Sequence, residues 1–135
     1  MASPEVFARR IQRRARQVEA GALDALRATA LVINQTVIFA TPKDTGHAKA
    51  NWQVGIGVPV TNEIDAEDPG QGEATISRNA VAIRLAPRGH TIILSNNVPY
   101  IHKLNEGSSS QAPAMFVEIA VATAVIAVKK TRFFR

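Results

Sequence analysis

The stretch 41-TPKDTGHAKANW-52 decides how this chain folds. Before it lies a run with helical periodicity; after it the period changes to two. Thr41-Pro42 ends the helix, because the residue before a proline is disfavoured in the α region. Asp44-Thr45-Gly46 reads as a turn: Asp can bond to backbone amides ahead of it, and Gly can supply positive φ. From Asn51 to Val60 the sequence NWQVGIGVPV alternates, with Trp52, Val54, Ile56 and Val58 on one face of a strand. Gly55 and Gly57 fall on the other face, which suggests close approach by another backbone.

Upstream, Ser3, Pro4 and Glu5 form a helix start, with a hydroxyl cap, a proline at the first helical position and an early acid. Apolar or small residues then recur at Ile11, Ala15, Val18, Ala22, Ala25, Thr29, Val32, Thr36, Val37 and Ala40, marking one helical face. A continuous helix from Pro4 to Ala40 is about 55 Å long at 1.5 Å per residue. A compact domain of this size is only roughly 30 Å across. The helix therefore either kinks near Gly21 or lets its basic half, residues 1–22, project, while the half from Leu23 onward packs on the core.

Downstream, residues 61–74 read as an acidic flexible loop with little to bury. In 75-TISRNAVAIRLAP-87, Ile76, Ala80, Ile83 and Ala86 make a helical face, although Val81, Ile83 and Leu85 also fit alternation; a short helix is favoured. Residues 91-TIILS-95 are β-branched and short, which predicts a strand ended by a turn at Asn96-Asn97. Residues 105–113 read as a flexible loop. A closing helix is expected from about Ala112–Pro113 to Lys130, with basic residues at its C-terminal end, where they complement the dipole. The tail 131-TRFFR-135 places Phe133 and Phe134 beside Arg. The expected fold is α+β in a single domain, residues 1–135. It has a long N-terminal helix, a small mostly antiparallel sheet and a C-terminal helix packed on it.

Of the 135 residues 46% are hydrophobic and only 5% aromatic, so the core must be built mostly from Ala, Val, Ile and Leu. The absence of cysteine excludes disulfides, thiolate metal sites and a Cys nucleophile. The N-terminus has no apolar signal region. The most apolar stretch, residues 112–128, is interrupted by Glu118 and is shorter than the roughly 20 residues a membrane span needs. It reads as a buried or interface helix, and no membrane partner is expected. The net charge of +5 is unevenly spread. Residues 1–49 carry eight Lys/Arg and four acids, residues 50–74 no Lys/Arg and five acids, and residues 75–135 eight Lys/Arg and two acids. An acidic segment between basic ones suits protein surfaces at least as well as nucleic acid.

Catalytic and metal signatures are weak. His47, His90 and His102 lie far apart, without ligand spacing. Asp65, Glu67 and Asp68 resemble half a calcium loop whose glycine and terminal Glu are misplaced. Ser108, Ser109 and Ser110 lack a nucleophile elbow. Asp44-Thr45-Gly46 matches the aspartic-protease triplet, but no second copy exists and the flanks are not hydrophobic strand. Neither phosphate-loop pattern occurs. No enzyme activity and no cofactor are expected. Arg9, Arg13 and Arg16 share one helix face, with Arg10 and Arg14 beside it. Three readings stay open for this stripe: a phosphate-binding surface, a solvated face, or pairing with an acidic loop of a neighbouring chain.

Taken with 96-NNVPYIHKLNEGSSSQAP-113, the opening stretch resembles the tail-completion (neck) proteins of long-tailed bacteriophages, including the minor tail protein Z type and prophage tail components. The shared features are T-P-x-D-T-G with basic residues and Trp at the first corner, then N-x-x-P-Y, an acid followed by Gly, and a Ser-rich stretch before the last helix. The resemblance spans about two-thirds of the chain. It implies a structural virion protein at the head–tail junction, assembled in the bacterial cytoplasm. It further implies a homo-oligomeric ring, usually of six copies, between tail and head connector, with genomic DNA passing through the lumen. Carried over, Pro42, Asp44, Thr45, Gly46 and Trp52 would shape the first corner, and Asn97, Pro99, Tyr100, Glu106 and Gly107 the second. His47, Ala48 and Lys49 depart from the Arg or Leu frequent in the family after the glycine. In such a ring the arginines Arg9, Arg10, Arg13, Arg14 and Arg16 would face the DNA channel or a neighbouring subunit. Glu63, Asp65, Glu67, Asp68, Phe133 and Phe134 would dock other neck proteins. The alternatives are a tail terminator capping the tube, or a non-virion DNA-binding protein using the arginine stripe.

Overall fold

The computed structural model describes residues 3–130; the Phe133–Phe134 expectation lies outside them. Helix α1 runs unbroken from Pro4 to Ala40. The Ser3 hydroxyl accepts the Val6 amide at 3.3 Å, and Pro4 fills the first helical position. Thr41, extended at φ −67° and ψ 127°, ends it before Pro42. Then come the short α2 (His47–Ala50), β1 (Trp52–Ile56), α3 (Glu73–Arg84), β2 (Ile92–Asn96), the short α4 (Ile101–Asn105) and α5 (Phe116–Lys129). The fold is α+β. Its sheet has two antiparallel strands, with Trp52 opposite Asn96, Val54 opposite Leu94 and Ile56 opposite Ile92.

The long helix resolves the length problem by projecting rather than kinking. The side chains of residues 3–17 are all exposed, and burial begins only around Leu23. Beyond that point α1 packs on α5 and α3. Its buried surface matches the face expected from the periodicity only in part: Ala25 and Val37 of that face are buried. Ala30, Asn34, Val37 and Ile38 are buried, while Thr29, Val32 and Thr36 are half-buried. Helices on two sides of α1 widen its buried surface, and a polar Asn34 enters because it finds partners there. Asn34 donates to the Ile76 carbonyl (3.2 Å), and Asn79 donates to Asn34 (2.9 Å) and to the Trp52 carbonyl (2.8 Å). These three bonds tie α1, α3 and β1 together, as satisfied buried polar groups do.

Two apolar clusters sit on this frame. Val37, Ile38, Trp52 and Ala120 form one, and Val98, Ile101 and Phe116 the other. Ala120, Ala124 and Val128 line the inner face of α5, and the two alanines let α1 and α5 approach closely. Segment 75–87 is helical: Ala80, Ile83 and Ala86 are buried while Leu85 is 74% exposed, the opposite of what an alternating strand would give. The closing helix starts at Phe116, later than the Ala112–Pro113 expectation, because Met115 adopts φ 62° and Asn105 caps the new start by accepting the Val117 amide at 2.9 Å. Neither α2 nor α4 follows from the sequence pattern; both are single turns set inside the two corners. Strand β1 is also shorter than the alternation implied. It stops at Ile56, and Val58 is exposed where the chain turns back. Gly55 explains the turn: a Cβ there would lie 2.1 Å from the Val58 carbonyl oxygen.

Candidate functional site

The first corner is held by long-range bonds onto the end of α1. That helix has no basic residue in its last turn, so its final carbonyls and dipole lack a local partner. Lys49, only 2% exposed, supplies both: its Nζ donates to the Ile38 carbonyl at 2.8 Å and the Phe39 carbonyl at 3.1 Å. Burial pushes its pKa down from the ordinary lysine value, partly offset by the charge of Asp68. Beside it, the Trp52 indole donates to the buried Thr41 hydroxyl at 2.8 Å, and that hydroxyl donates to the Val37 carbonyl at 2.7 Å. Gly46 takes φ +89° and is buried. A Cβ there would meet the Asp68 backbone oxygen at 2.2 Å, so only glycine fits both the angle and the space.

The acidic segment wraps back onto this corner instead of hanging free. The Asp68 amide donates to the Gly46 carbonyl at 3.0 Å. Asn51, fully buried, donates to the Ile64 carbonyl (3.1 Å) and accepts the Ile64 amide (2.8 Å). His47 faces acceptors on both ring nitrogens, the Ala66 carbonyl at 2.9 Å and a Glu63 carboxylate oxygen at 2.6 Å. Two acceptors favour the doubly protonated ring, and the Glu63 hydrogen bond, then that to Ala66, raises the His47 pKa above the usual histidine value.

Asp68 must be withdrawn from the docking surface. It is 1% exposed, and its carboxylate accepts the Gly70 amide (3.0 Å), the Gly72 amide (3.2 Å), the Thr75 amide (3.0 Å) and the Thr75 hydroxyl (2.7 Å). It caps α3, which begins at Glu73, so the loop ends at residue 72. Burial pushes the Asp68 pKa up, but the bonds from Thr75, Gly70 and Gly72 outweigh it and hold the acid below the usual carboxylate range. Asp65 and Glu67 remain exposed, and Glu63 stays accessible while paired to His47.

The second corner meets the first. Gln111 pairs with the Lys43 backbone in both directions, accepting its amide at 2.8 Å and donating to its carbonyl at 2.7 Å. A cleft of about 260 Å³ lies between them, lined by Pro42, Ala48, Tyr100 and Leu104 together with polar residues that include Asp44 and His47. Asn97 donates to the Val60 carbonyl at 2.9 Å. Tyr100 is the N-cap of α4, and its carbonyl accepts the Leu104 amide at 3.1 Å. Gly107 follows α4 at φ +99° against Ala114. Pro99 and Glu106 are exposed. Burial, then the charges of Glu63 and Asp44, raise the Tyr100 pKa.

Far from both corners, Arg9, Arg10, Arg13, Arg14 and Arg16 are exposed on α1. Among the described residues no carboxylate pairs with them, and no three His, Cys, Asp or Glu side chains gather to hold a metal. Helix α1 is long and apolar enough to cross a membrane by length and composition alone; its apolar part, after Ala20, is the part packed on α3 and α5. Comparison with known protein families, curated proteins and solved structures found no match to this chain.

Sequence reasoning missed Lys49, Asn34, Asn51, Asn79, Asn105 and Gln111. One signal was present for Lys49: a 37-residue helix with no cation in its last turn needs one from elsewhere.

Proposed function

We propose that the chain is a structural component of a bacteriophage head–tail junction, acting in tail completion as a ring around the DNA channel. The observation that carries this reading is the meeting of the two segments on which the resemblance rests. Residues 41–52 and 96–113 pack face to face through Gln111 and Lys43 and share one cleft. Their buried polar side chains Thr41, Lys49 and Asn51 bond to backbone groups, which is what an element that fixes angles requires. In a ring, an error in a subunit's corner angle repeats in every copy and prevents closure. Both imidazole nitrogens of His47 are engaged by Ala66 and Glu63, so this histidine is occupied in holding the loop. The ring copy number of six, the virion location and the DNA in the lumen belong to the same proposal.

The test is deletion of the gene in its phage or prophage, followed by electron microscopy of the lysate. Full heads beside unattached tails of normal length are expected. Overlong tails would assign the chain to tail termination. Joined, infectious particles would overturn the virion role and leave DNA binding through Arg9–Arg16 as the alternative.

A further inference from the structure

Helix α1 separates two surfaces of opposite sign. At its N-terminal end five exposed arginines lie within residues 9–16; Arg9, Arg13 and Arg16 share one face, and exposed Phe7 (59%) and Ile11 (53%) lie on the opposite one. At its other end the corner presents exposed Asp44, Asp65 and Glu67, with Glu63 partly open, in a region whose residues 50–74 contain no Lys or Arg. The Lys43 side chain beside them is turned to the Pro69 carbonyl at 3.0 Å. From Arg13 to Thr41 the helix spans about 42 Å at 1.5 Å per residue. The arginines therefore cannot reach the acidic corner of their own chain.

Within the subunit, the projecting half also gains no tertiary packing, although packing of an amphipathic face supplies most helix stability in proteins. Two copies laid side by side on the Arg9–Arg13–Arg16 face would oppose their arginines, which disfavours a symmetric pair through that face. We propose that the projecting half of α1 docks on the acidic corner of a second copy of this chain. The stripe Arg9, Arg13 and Arg16 meets Asp44, Asp65 and Glu67. The acids stand on a fixed platform, because Asn51, His47 and the Asp68 backbone pin the loop that carries them. Complementary surfaces at opposite ends of a rigid rod make a head-to-tail contact, which closes into a ring or grows into a filament. The contact names the subunit interface of the proposed ring and rests on that reading only for its closure.

The test uses two variants with all substitutions at exposed positions: Arg9→Glu, Arg13→Glu, Arg16→Glu in one, and Asp44→Lys, Asp65→Lys, Glu67→Lys in the other. Sedimentation velocity should show salt-sensitive association of the unaltered chain, weakened at least about tenfold in each variant alone. Circular dichroism should show both variants folded. Equimolar mixing should restore association, since each variant then offers the charge the other needs. A chain that stays monomeric at its highest soluble concentration would overturn the proposal. So would a mixture that fails to recover, or arginines whose only effect is on binding duplex DNA. Recovery on mixing together with normal particles after gene deletion would keep the contact and sink the virion role. A monomeric chain together with unattached tails would do the reverse.

Discussion

The corner and the projecting half of α1 are built on opposite terms. Around residues 41–79 the buried polar groups have named partners, within one loop for Asp68 and across distant segments for Asn79. Residues 4–17 have no buried side chain, and their helix continues outward from a half that is packed. One region is defined by what it bonds to inside the subunit, the other by what it leaves unbonded. The packed half of α1 carries the fold, and the arginines of the projecting half are left for an outside surface.

Glycine gives the largest contrast. Gly46→Val should cost more than about 3 kcal/mol, because the side chain strikes the Asp68 backbone and the φ is positive. Gly21→Ala, with nothing within 4 Å of the added carbon, should instead stabilise the helix by up to about 1 kcal/mol. Chemical denaturation of both variants checks the pair; equal midpoints would erase the distinction between the regions.

Asp68→Ala should cost about 3 kcal/mol, since it strips four bonds from the start of α3 and leaves buried amides without an acceptor. The same carboxylate has a depressed pKa when folded. Its contribution is present above the ordinary Asp value and is lost as pH falls through the lower, folded one. Acid melts of Asp68→Ala should accordingly lack part of the pH dependence seen in the unaltered chain.

Lys49→Met keeps the apolar stem but leaves the Ile38 and Phe39 carbonyls without their donor. A loss of about 2 kcal/mol in thermal denaturation is expected. His47 acts on a smaller scale. Its folded pKa is raised, so its contribution is full below the ordinary histidine value and fades as pH rises through the folded one. Hydrogen exchange at Ile64 and Asp68 should quicken across that rise, and His47→Gln should remove the step. At the small end, Arg9→Glu, Arg13→Glu and Arg16→Glu together should shift monomer stability by no more than about 0.5 kcal/mol each. A larger loss would show that the arginine half is part of the folded core after all.

Much of this architecture was legible in advance. The Ser3-Pro4 start, the Thr41-Pro42 stop, the β1 alternation from Trp52 and the helical spacing of Ile76, Ala80 and Ile83 are local patterns. Each depends on residues within a turn or a strand of one another, so neighbouring side chains suffice to read them. The excess length of α1 was legible too, because helix rise is constant. What tertiary structure alone decided is where polar groups could be buried. Lys49 looks like a surface lysine until the end of α1 arrives above it. Asp68 looks like one acid among several until Gly70, Gly72 and Thr75 turn their donors on it. Asn34 looks misplaced on an apolar helix until Asn79, 45 residues away, completes its bond. A buried polar side chain is stable only if its partner is present, and that partner is set by how the loop closes, as for Asp68, or by packing between distant segments, as for Asn34, neither of which a helix or strand period records.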